Sequence, residues 1–144
     1  MRFEVRDKKL LDIIERMNKS NEALTIIGLE VKNFVTRTFI TEGQELLGHK
    51  WKPLSQKTID MRRKGKDGSK PPLILSDTRI AKRSITFEVS GNTVYVGFPP
   101  NTSVYMIKHQ KGDGVSRRQV LGLNDKLRKN IDKALTNLVQ DILK

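Results

Sequence analysis

The feature that most constrains this chain is a switch in hydrophobic period. From Ile85 onward, Ile85, Phe87 and Val89 alternate with Thr86 and Glu88; after Ser90-Gly91-Asn92, Val94 and Val96 alternate with Thr93, Tyr95 and Gly97. A period of two puts one set of side chains on one face of a strand, and the small polar residues between the two runs suit a tight turn. The segment therefore predicts a β-hairpin with one buried face. Pro99-Pro100-Asn101 ends it, because proline has no N–H to continue a ladder.

On both sides of the hairpin the period becomes helical. Leu10, Ile13, Ile14 and Met17 predict an amphipathic helix over Asp7–Asn18. A polar break follows, in which Ser20 or Asn21 suits the cap of a second helix running to about Thr41 and closed by Gly43. Leu24, Ile27, Val31, Phe34, Val35 and Thr38 share one face of that helix, whereas Ile26, Leu29 and Ile40 form a thinner stripe roughly opposite. Two apolar faces imply two surfaces to pack against, one inside the domain and the other inside it or on a neighbouring subunit. Gly28, mid-helix, costs about 1 kcal/mol relative to alanine, which predicts close approach of another backbone. Towards the C-terminus, Val104–Gln110 reads as a short helix stopped by Gly112-Asp113-Gly114, and Val115–Leu123 as a last short strand. Asn124 then caps a helix through Leu143 with Leu127, Ile131, Ala134, Leu135, Leu138 and Ile142 on one face and Lys126, Lys129, Lys133 and Lys144 opposite.

Between these blocks lies the one tryptophan, in Trp51-Lys52-Pro53-Leu54-Ser55. An indole buries a large apolar area and carries a single N–H that needs an acceptor, so the stretch reads as a structural anchor, with Ser55 capping a short helix through Met61. Arg62-Arg63-Lys64-Gly65-Lys66-Asp67-Gly68-Ser69-Lys70-Pro71-Pro72 cannot build a core and predicts a long basic loop, either solvated or ordered against a partner. Leu73-Ile74-Leu75 is a short buried-strand candidate, and Asp77–Lys82 a turn of helix leading into the hairpin. The resulting fold class is α+β: a small antiparallel sheet, the hairpin plus short strands, packed against N- and C-terminal helices, with the basic loop between.

At 144 residues the chain fits one domain, 1–144. It has no cysteine, and its two histidines, His49 and His109, are far apart, so zinc has little sequence basis. Gly43–Lys50 resembles a phosphate-binding loop only superficially: the lysine is displaced, no Ser or Thr follows it, and a helix rather than a strand precedes it. No nucleophile elbow and no cluster of acids is present, which argues against hydrolytic and metal-dependent nuclease chemistry. No catalytic residue, cofactor or metal is expected, and no apolar run reaches the length of a membrane span. The net charge of +12 makes a polyanionic neighbour such as nucleic acid physically plausible.

Six pieces in order over most of the chain resemble the phage virion morphogenesis family, which includes tail completion proteins of contractile-tailed phages. They are Phe39…Gly43; Trp51-Lys52-Pro53-Leu54-Ser55…Thr58; Leu73-Ile74-Leu75-Ser76-Asp77 leading to Arg83-Ser84-Ile85; Val94-Tyr95-Val96-Gly97; Tyr105…His109-Gln110…Gly112; and Ser116–Gly122. Asp77, Met106 and Ser116-Arg117-Arg118 depart from the family pattern. The resemblance implies a non-enzymatic assembly protein at the tail end or head–tail junction, made in the host cytoplasm and carried into the virion. It would act as a ring-like homo-oligomer such as a hexamer that meets tail-tube or head–tail connector proteins and touches packaged DNA without sequence preference. In that role Arg62, Arg63, Lys64, Lys66 and Lys70 present the basic loop. Trp51, Pro53 and Leu54 anchor its base, Tyr105 and His109 pack beneath the Gly112–Gly114 loop with the histidine donating a hydrogen bond, and Ile26, Leu29 and Ile40 are candidate oligomer contacts. A stand-alone basic nucleic-acid-binding protein is the alternative reading.

Overall fold

A computed structural model describes residues 2–4, 8, 12, 20–63 and 80–143. The architecture is α+β, as the change of period predicts. Strand β1 (Arg2–Glu4) is followed by helices α1 (Ser20–Ile40), α2 (Gln44–Leu47), α3 (Gln56–Arg63) and α4 (Ile80–Arg83), the hairpin β2 (Thr86–Ser90) and β3 (Thr93–Gly97), and helices α5 (Pro100–Lys111) and α6 (Asp125–Leu143). Of the helix expected over Asp7–Asn18 only Lys8 and Asp12 are described, both helical. Residues 64–79, which include most of the expected basic loop and the strand candidate Leu73–Leu75, lie outside the described residues.

Helix α1 is the element on which the rest is laid. Leu24, Ile27, Val31, Phe34, Val35 and Thr38 are fully buried, so the predicted face is the core face. One flank of it packs against α6 and another against the hairpin. Thr38 is buried at no cost because its hydroxyl donates to the Phe34 carbonyl at 2.9 Å. Gly28 corrects one expectation: what approaches it is the ring of Phe87, not a backbone, and a Cβ there would lie 2.3 Å from Phe87 Cδ2.

The hairpin turns on Gly91-Asn92, with Ser90 paired to Thr93. Gly91 has φ +58° and Asn92 no positive φ, the pattern of a type II′ turn, whose twist matches that of the flanking strands. Ile85, Val94 and Val96 are buried, Phe87 and Val89 half-buried, while Thr86, Glu88 and Tyr95 face out. Sequence patterning missed the third strand. β1 pairs antiparallel with β3, Phe3 opposite Val94, to give the order β1-β3-β2. A three-residue strand is too short to show a period of its own.

Helix α5 starts four residues before the expected Val104. Pro99 and Pro100 therefore do two things: they end β3, and Pro100 at the first helical position opens α5, where a missing N–H costs nothing. Residues 115–123 are not the strand expected of them but an irregular segment, unpaired to any strand among the described residues. Backbone groups of Val120 and Leu121 bond to the Gln110 side chain instead. Asn124 caps α6 as predicted, its Oδ1 accepting from Leu127 N at 2.9 Å, and its amide also donates to the carbonyls of Glu45 and Leu46. Leu127, Ile131, Leu135 and Leu138 are buried, Ala134 is half-buried, and Lys126, Lys129 and Lys133 are exposed.

Candidate functional site

The end of α1, the Trp51 stretch and the 115–123 segment meet at one junction. Trp51 is 3% exposed, and its ring meets Phe39 edge-on at 6.1 Å between centroids. The indole N–H finds the acceptor it requires in the Gln119 carbonyl at 3.0 Å, and Trp51 N donates to the Glu42 carbonyl at 2.7 Å. The turn that carries the chain from α1 to α2 is strained to allow this. Glu42 is at φ +53° and Gly43 at φ +94°, and a Cβ on Gly43 would lie 2.4 Å from Trp51 Nε1. Only glycine satisfies both the dihedral and the space. Arg118, 9% exposed, adds a second stitch through Nη2 to the Lys52 carbonyl at 3.3 Å.

Gln110 on α5 replaces a strand partner for the 115–123 segment. Its Oε1 accepts from Val120 N at 2.9 Å and Leu121 N at 3.1 Å, and its Nε2 donates to the Leu121 carbonyl at 2.7 Å. One side-chain amide thus satisfies three backbone groups of a half-buried loop, as burial demands. The Gly112 cap, φ +77°, turns the chain back with the N–H groups of Gly112 and Asp113 both on the Lys108 carbonyl, and Arg118 N then donates to the His109 carbonyl at 2.8 Å. The His109 ring is half-buried here, and its Nδ1 is buried without a hydrogen-bond partner. Burial first, and then the nearby Arg118 charge, hold its pKa below the ordinary value of 6.5, against a backbone hydrogen bond at Ser116 that works the other way.

The expected site residues are therefore spread over several surfaces. Trp51, His109 and half-buried Leu54 belong to the junction, but Pro53 is exposed, and Tyr105 is 40% exposed rather than tucked under the loop. Arg62 and Arg63 end α3; Lys64, Lys66 and Lys70 lie outside the described residues. Of the second stripe on α1, Ile26 is half-buried against the core, whereas Leu29 and Ile40 are 45% and 59% exposed.

Two features were not singled out from sequence. The first is an apolar patch on α5, where Val104 is 66% and Ile107 51% exposed, beside a groove of about 270 Å³ floored by Phe98, Met106 and Leu121. The signal was present in the unbroken run Val104-Tyr105-Met106-Ile107: a helix with one buried side can hide only part of such a run, and Met106 is the one buried. The second is a polar groove of about 540 Å³ between α1 and α6, where Glu45 holds both Arg37 (3.3 Å) and Lys126 (2.9 Å). Among the described residues no group of His, Cys, Asp and Glu is placed to hold a metal ion, and no helix is long and apolar enough to cross a membrane. Compared with known proteins, residues 4–140 match the model of the phage virion morphogenesis family. No curated protein and no solved structure showed a match.

Proposed function

Because the chain belongs to the phage virion morphogenesis family and so takes a part in building the virion, we propose that it completes the tail, or joins tail to head, as a subunit of a homo-oligomeric ring. The proposed role is structural and non-enzymatic: its subunits would hold one another and dock on tail-tube or connector proteins. The observation that carries this reading is aliphatic surface exposed at separate places, Leu29 and Ile40 about three turns apart on α1 and the adjoining Val104 and Ile107 on α5. A monomer gains nothing by exposing both, while a ring closed by rotation needs two different surfaces that meet head to tail. The junction at Trp51 supports the same role, since it fixes α5 relative to α1 and so sets the angle between the two patches.

Sedimentation velocity over a wide concentration range tests the reading, with tails lacking this protein as the second arm. A discrete oligomer that restores infectivity when added to such tails is expected. A strict monomer that leaves the tails inactive overturns it.

Contact with packaged DNA would be to phosphates, and the exposed Lys126, Arg128, Lys129 and Lys133 on α6 favour it. Retention on duplex DNA should then fall steeply between low and physiological salt.

A further inference from the structure

The 115–123 segment is held to the rest of the molecule by a short set of hydrogen bonds. Gly112 at φ +77° and Gly114 at φ +68° turn the chain back, so that Arg118 N reaches the His109 carbonyl at 2.8 Å. Beyond it come the bond from Arg118 Nη2 to Lys52, that from the Trp51 indole to the Gln119 carbonyl, and those between Gln110 and the backbone of Val120 and Leu121. The half-buried His109 ring stands where the returning chain first touches α5. Its Nδ1 is buried without a hydrogen-bond partner, which leaves Nε2 to serve the Ser116 backbone. A neutral imidazole has one N–H and one bare nitrogen, so the proton sits on Nε2 and Nδ1 is bare. A second proton, on Nδ1, would bury a donor without an acceptor and set a positive charge beside the Arg118 guanidinium. The surrounding elements bring Tyr105, Lys108 and Lys111 from α5 itself, Lys82 and Arg83 from α4, Lys52 from the Trp51 stretch, and Asp113 and Arg117 from the loop. Of all these charges only that of Arg118 bears on the ring, and Asp113, the one acid among them, does not offset it.

We propose that His109 is a proton-operated latch on the 115–123 segment: neutral, it lets the segment close on α5 and the Trp51 stretch, and protonated at Nδ1 it releases the segment while the helices stay folded. Gly112 and Gly114 supply the hinge at one end. At the other, Asn124 stays fixed by its bonds to Glu45, Leu46 and Leu127. Release breaks the Trp51–Gln119 bond and takes Val120 and Leu121 away from the groove beside Ile107, so one titration loosens the junction and unmakes the groove. The open segment takes up the proton at the ordinary pKa of 6.5 and the closed one only at lower pH. Opening is therefore unaffected well above pH 6.5 and grows as pH falls below it. At pH 5 the opening equilibrium rises by at most about thirtyfold, the limit reached if the closed form takes up no proton at all.

Hydrogen exchange followed by NMR at pH 7.5 and pH 5, corrected for intrinsic rates, tests the latch. The single tryptophan gives one indole N–H signal, so the Trp51–Gln119 bond is read directly. At pH 5 the indole and the amides of Arg118, Val120 and Leu121 should be several-fold, and at most about thirtyfold, less protected than at pH 7.5. At both pH values they should be less protected than the amides of Val31 and Phe34 in the core of α1. The pH response should vanish in His109→Gln and persist in His49→Gln, which removes the exposed histidine close to Trp51. If His109→Gln fails to fold, the ring-proton titration of the unaltered protein decides: a His109 midpoint below 6.5 is expected, and one at or above it overturns the proposal. Segment and α1 amides that exchange at one common rate would reveal a single global opening and overturn the latch. So would protection that does not change with pH, or a pH response that survives His109→Gln.

Discussion

At the scale of single residues, the junction concentrates side chains that admit no substitute. Trp51→Ala removes a buried ring and leaves the Gln119 carbonyl without its donor, so a loss of about 3–5 kcal/mol is expected in denaturant unfolding. Unchanged stability with lost assembly would instead make Trp51 an interface residue. Gly28→Ala tests a different contact: its methyl would overlap the Phe87 ring, and about 1–3 kcal/mol should be lost even though alanine is the better helix former. His109 sets a pH dependence. Its folded pKa is lowered, so the unfolded chain takes up the proton first as pH falls below 6.5, and stability present above that pH is lost on acidification. Thermal melts at pH 7.5 and 5 should show the drop, and His109→Gln should flatten it. What sequence could reveal here was that Trp51 needs an acceptor; which carbonyl supplies it depends on a segment 68 residues away.

At the scale of elements, periodic segments were legible and side-chain-held segments were not. The core face of α1, the hairpin and the Asn124-capped α6 all follow from spacing, because many residues vote for the same period. The 115–123 segment misled for a physical reason. Val120 is buried between less buried neighbours, which resembles a strand in sequence, but its backbone N–H bonds to the side-chain amide of Gln110 rather than to a ladder partner. β1 and α2 are each shorter than the window over which a period can be seen. Gln110→Ala should therefore act on the whole segment: the half-buried N–H groups of Val120 and Leu121 lose their acceptor, while the Leu121 carbonyl keeps only its bond from Gln119 Nε2, and a loss of about 1–3 kcal/mol is expected, with faster amide exchange at Val120 and Leu121. Proteolysis within 112–123 should accelerate in parallel.

At the scale of the whole molecule, fold class and family were both legible, the first from periodicity and the second from six short pieces in order. The α5 patch was not, because exposure is a property of packing: the same four residues in a row would all be hidden in a larger core. Charge gives the remaining prediction. Reversing Arg128, Lys129 and Lys133 together to glutamate should abolish retention on duplex DNA while leaving the melting temperature within a few degrees, since all three are exposed. Self-association should survive that change.

The strand order β1-β3-β2 also has a kinetic side. β2 finds β3 across a two-residue turn, whereas Arg2 must return from the far end of the chain to reach Tyr95. Closing the longer loop costs more entropy, so the hairpin can form early on α1 while the other edge of β3 waits. During that interval Thr93–Gly97 offers unpaired backbone groups to any passing chain. Refolding at high protein concentration should accordingly lose yield to aggregates, and pulse-labelling should find the β1 amides the last of the sheet to gain protection.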